Sequence, residues 1–110
     1  VTIVSEKNVE ASLRYLAEDP HPIALARKDL TDAENWYEAT WAEVYLRQIG
    51  TVGEREAETR IHSKVTEARN AVTEAAFQVE RHKARLNAAS MLIEVWRTEN
   101  ANARAAERVR

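Results

Sequence analysis

The stretch from Ile61 to Ala103, IHSKVTEARNAVTEAAFQVERHKARLNAASMLIEVWRTENANA, decides the fold. Heptads run through it without a slip: one set of positions is Val65, Val72, Val79, Leu86, Ile93 and Asn100, and the other is Ile61, Ala68, Ala75, His82, Ala89, Trp96 and Ala103. Interleaved steps of three and four are the repeat by which a helix keeps one seam turned toward a partner helix. Gly53 is the last glycine and no proline follows it, so the spacing predicts one helix over about 52–106. At 1.5 Å per residue such a helix is about 80 Å long and needs other helices to cover its seam.

Working outward, Gly50 supplies a left-handed stop before that helix, and Thr51 with Glu54 reads as a capping box that opens it. The segment before Gly50, about 20–49, carries Ile23, Ala26, Leu30, Ala33, Tyr37, Thr40 and Val44 on one stripe. Thr31 and Glu34 repeat the capping-box spacing inside that segment, a pairing that acidic helices also produce by chance. A first segment, about 5–18, shows Val9, Leu13 and Leu16 at steps of four and three, with Glu10 four residues before Arg14 as a favourable pair. Asp19-Pro20-His21-Pro22 separates these two, with Asp19 placed to cap the next helix and both prolines in its first turn. Folding back from Gly50 pairs residues whose numbers add to about 101, so that Val44 faces Ala57 and Leu30 faces Ala71. Leu16, Leu13 and Val9 then face Arg85, Ala88 and Leu92 along the same line. The expectation is a single all-α domain over 1–110, an elongated antiparallel helical hairpin or coiled coil with a short N-terminal helix, in effect a kinked three-helix bundle.

Composition excludes much chemistry. With no cysteine there is no disulfide, zinc-thiolate or cysteine nucleophile, and two glycines do not build a phosphate-cradling loop. No apolar run approaches the roughly 20 residues that span a bilayer. Glu6, Lys7 and Glu10 break the only window for a signal peptide, and a cytoplasmic address without membrane contact is the expectation. His21, His62 and His82 form no metal motif: Glu58 and His62 are four apart, whereas helical di-metal sites place Glu and His three apart. His82 and Asn100 read as polar seam residues that set register. Carboxylates such as Glu43 and Glu56 precede an arginine by four and belong to solvated faces. Neither a catalytic set nor a cofactor site emerges, and the chain reads as a non-enzyme.

What remains are surfaces. Residues 81–110 hold seven basic side chains against three glutamates, a net +4 within a chain of net −2. Arg97, Arg104 and Arg108 share one helical face and are the candidate contacts to nucleic-acid phosphates, although cations also complement a helix C-terminus. Met91, Leu92 and Val95 are surplus to a single seam and mark a self-association face, most simply in a homodimer. Trp36, Trp41 and Tyr45 give the preceding segment a second face for a protein partner.

The stretches His21-Pro-Ile-Ala-Leu-Ala-Arg-Lys-Asp-Leu30 and Met91-Leu-Ile-Glu-Val-Trp-Arg-Thr-Glu-Asn-Ala-Asn-Ala-Arg-Ala-Ala-Glu-Arg-Val-Arg110 resemble small coiled-coil proteins encoded by bacteriophages and prophages. The resemblance implies an accessory protein working in the host bacterial cytoplasm, encoded among early recombination or replication genes. It assigns no residue a role. The function expected is a scaffold or mediator in DNA recombination or replication. An inhibitor or adaptor of a host protein is the alternative, and a scaffold for phage assembly a third.

Overall fold

A computed structural model describes residues 4–109 of the chain, which form four α-helices: α1 (Glu6–Ala17), α2 (Pro22–Arg47), α3 (Val52–Ile61) and α4 (Ser63–Val109). The all-α class and the hairpin reading hold, and no helix is long and apolar enough to cross a membrane among the described residues. The chain divides into two compact units, one from Ile23–Glu80 and the other from Val1–Pro22 with Arg81–Arg110.

In the Ile23–Glu80 unit, α2 carries the stripe expected of it. Ile23, Ala26, Thr40 and Val44 are buried and Leu30, Ala33 and Tyr37 half-buried, and the helix passes Thr31 without a break. The Thr31 hydroxyl donates to the Arg27 carbonyl at 3.2 Å, so it is satisfied inside the helix instead of opening a new one. Gly50 has φ +123°, a backbone conformation that strains any residue with a Cβ, so glycine suits the turn. Thr51 caps α3 by accepting from the Glu54 amide at 3.2 Å. Across the hairpin, the Arg55 guanidinium lies 4.3 Å from the Tyr45 ring and Arg69 lies 6.0 Å from Tyr37, pairs whose numbers add to 100 and 106. The pair next to the Gly50 turn keeps the expected antiparallel register, and the pair beyond His62 is offset from it by about five residues.

One expectation fails here. The helix predicted over 52–106 is two helices, because His62 adopts an extended conformation, φ −65° and ψ 136°. His62 serves both ends: its amide donates to the Thr59 carbonyl at 3.2 Å, ending α3. Its Nδ1 accepts from the Lys64 amide at 3.1 Å and its carbonyl from the Thr66 amide at 3.0 Å, opening α4. Because an extended residue resets helical phase, the buried face before it moves from Ile61 to Thr59. Ile61 is 74% exposed and Thr59 is fully buried, its hydroxyl donating to the Arg55 carbonyl at 2.7 Å. Beyond the break the heptad phase is the predicted one, with Val65, Ala68 and Val79 buried and Val72 and Ala75 half-buried.

In the other unit, Ser5 caps α1 by accepting from the Asn8 amide at 3.2 Å. Glu10 pairs with Arg14 as expected. The buried face of α1 consists of Val9 and Tyr15, with Ser12 and Leu16 half-buried, whereas Leu13 is 52% exposed. The predicted stripe is thus turned by part of a helical turn, because α4 offers Tyr15 hydrogen bonds that Leu13 could not make. Asn8, Ser12 and Tyr15 line a shared groove with Leu92, Ala88 and Arg85, again adding to 100. α2 begins only at Pro22, so Asp19 and Pro20 lie in the linker outside its first turn. On α4 the seam continues through His82, Leu86, Ala89, Ile93, Trp96 and Asn100, all buried or half-buried, and ends before Ala103, which is exposed.

Two substitutions test the packing. Ala68→Leu pushes three extra carbons into a position with no exposure and should cost about 1–3 kcal/mol, read from the thermal midpoint, while Ala101→Leu on the exposed face should stay within about 0.5 kcal/mol. Equal midpoints for the two would place Ala68 outside the core. Tyr15→Phe keeps the ring but loses the hydroxyl and should cost about 0.5–1.5 kcal/mol in a urea titration.

Candidate nucleic-acid interface

The basic end of the chain is built on α4, whose helical spacing puts Arg97, Arg104 and Arg108 on one face. All three side chains are exposed. Arg97 reaches Glu94 at 3.4 Å, a pair so solvated that a phosphate can compete for the guanidinium at little cost. Arg104 and Arg108 form no ion pair among the described residues. Residues 101–109 are exposed on every side, so the last two arginines stand on a helix end with full access to solvent. Arg110, counted in the basic end, lies outside the described residues.

Arg85, another cation of this region, is used differently. The Arg85 guanidinium sits 4.1 Å from the Tyr15 ring, and Tyr15 is 2% exposed. The Tyr15 hydroxyl donates to the His82 carbonyl at 3.3 Å and lies 3.2 Å from His82 Nδ1. A carbonyl only accepts, and the phenol has one proton. The consistent arrangement therefore has His82 Nδ1–H donating to the phenolic oxygen. The His21 ring meets the Tyr15 ring at 74° with 4.8 Å between centroids, an edge-to-face contact. Tyr15, whose weight the heptad count missed, is thus the anchor of α1, and a tyrosine at a core-facing helical position opposite a seam histidine was the signal available.

The other candidate surfaces are separated by the fold. Met91 is 69% and Val95 40% exposed, whereas Leu92 is half-buried and lines the α1–α4 groove, so the self-association face keeps two of its three members on the outside. On α2, Trp36 is exposed, Trp41 lies against Tyr37 at 6.4 Å between centroids, and Tyr45 is covered by Arg55. Leu46, Ile49 and Val52 around the Gly50 turn are also exposed. The histidines are dispersed: His21 and His82 flank Tyr15, and His62 occupies the α3–α4 break. No group of three or more histidine and carboxylate side chains could hold a metal ion among the described residues. No protein-family model, curated protein or solved structure matches this chain.

Proposed function

We propose that the protein is a non-enzymatic scaffold or mediator that contacts nucleic acid through the end of α4, working in phage DNA recombination or replication as the resemblance of its two distinctive stretches implies. The observation that supports this is the exposed row Arg97, Arg104 and Arg108, two of them without an ion pair among the described residues. Guanidinium groups held on a rigid helix match phosphates in charge and in bidentate geometry, and they bind without reading sequence. An overall charge of −2 does not oppose this, because salt screens charges lying more than about 8–10 Å away and leaves the local +4 to act. A homodimer paired through Met91 and Val95 would present two such rows and raise affinity by linking two weak contacts.

Replacing Arg97, Arg104 and Arg108 together by glutamine should weaken binding to all sequences alike. It should also lower the salt slope by roughly 2 on single strands and 2.7 on duplex. Filter binding at several salt concentrations measures the slope, and circular dichroism should be unchanged because glutamine is nearly as good a helix former as arginine. Wild-type protein that fails to bind either form at low salt overturns the proposal. For assembly, Met91→Lys with Val95→Glu should shift the dimer dissociation constant by about a hundredfold or more while leaving α1 docked, measured by sedimentation equilibrium. A wild-type chain that sediments as a monomer at micromolar concentration removes the homodimer from the reading.

A further inference from the structure

Every tyrosine of the chain accepts an arginine across its helix pair: Tyr15 takes Arg85, Tyr45 takes Arg55 and Tyr37 takes Arg69. No tryptophan ring does so among the described residues. Trp41 is the instructive one. It stands one helical turn after Tyr37 on α2, the two rings tilted at 46° with centroids 6.4 Å apart, so they open as a wedge and do not stack. Together with Glu38 they line a hollow of about 430 Å³. Glu34, one turn earlier on the same helix, and Glu38 are both exposed, and neither forms an ion pair among the described residues.

We infer that the Tyr37–Glu38–Trp41 hollow on α2 is a docking site for the cationic side chain, arginine or lysine, of a segment presented by a partner protein. Two aromatic faces set at an angle attract a cation through their quadrupoles, tryptophan most strongly, and a carboxylate at the rim supplies the opposite charge. The chemistry is already in use beside it, since Arg69 occupies the neighbourhood of Tyr37 at 6.0 Å. The surroundings agree in sign: Glu34 stands one helical turn from Glu38, and residues 23–80 carry seven basic against eleven acidic side chains, a net −4. A guanidinium engages ring and carboxylate together, whereas a neutral aliphatic guest gains nothing from the Glu38 charge. This site is independent of the arginine row on α4, and its ligand has the opposite charge.

Calorimetric titration of the full chain with a hexapeptide of alternating arginine and glycine tests the inference, beside the same peptide with citrulline, which keeps the shape and removes the charge. The arginine peptide should bind, and the citrulline peptide should bind at least about tenfold more weakly. Trp41→Leu and Glu38→Gln should each weaken the arginine peptide about three- to tenfold. Glu38→Gln is an exposed change that leaves the fold intact, and Glu58→Gln, an exposed glutamate on α3, should leave binding unchanged. Equal affinity for the citrulline peptide overturns the inference. So does a Glu58→Gln loss as large as that of Glu38→Gln, which would mean attraction by a diffuse acidic surface. Self-association of the wild-type chain that Trp41→Leu abolishes would make the occupant a second copy, and it too overturns a foreign partner.

Discussion

The seam of small residues on α4 is the constraint that every other element answers to. Val65, Ala68, Val79 and Ala89 give a helix of 47 residues a narrow buried line, and small side chains there let the covering backbones come close. A helix this long with so little self-contained apolar surface draws its stability from what packs on it, because propensity alone leaves isolated helices marginal. α2 answers in one unit with Ile23, Ala26, Thr40 and Val44, and α1 in the other with Val9 and Tyr15. The linkers between the helices are short, so few ways of covering that line remain open to the chain.

Alanine and valine make a seam slippery, since shifting it by a heptad exchanges one small apolar residue for another. The arginine–tyrosine contacts remove that freedom. Arg55 on Tyr45, Arg69 on Tyr37 and Arg85 on Tyr15 are each formed across a helix pair, and each is lost if the register slides. Tyr15 adds hydrogen bonds to His82, so α1, with only 12 residues, is held at one position by a directional contact as well as by burial. Polar contacts that specify register within an apolar seam follow the logic of coiled coils, where a single buried polar pair excludes the alternatives.

The surfaces left over after the seam is covered have unlike chemistry. The end of α4 offers guanidinium groups to anions, and the α2 hollow offers rings and carboxylates to cations. In both cases rigidity is what the helix contributes, since side chains spaced along a helix are held in place before a partner arrives and lose less entropy on binding.

The amino-acid sequence by itself determined the helical class, the Gly50 turn and the seam beyond Val65. Heptad spacing from Val65 to Asn100, the Gly50 stop and the Thr51 cap depend on neighbours within one or two helical turns, and local spacing is what a sequence displays directly. The row Arg97, Arg104 and Arg108 was legible for the same reason. Tertiary structure alone decided the break at His62, which carries neither proline nor glycine as a mark. Its extended backbone is held by the Thr59 carbonyl and the Lys64 amide, in a place where burying Thr59 and Val65 together requires a change of helical phase. It also decided that Tyr15 and not Leu13 anchors α1, since the choice rests on His82 and Arg85 some seventy residues away. The wedge of Tyr37 and Trp41 lay equally out of reach, because the angle between two rings is set by side-chain rotamers and the helix packed beside them, and spacing along one strand of sequence leaves both undetermined.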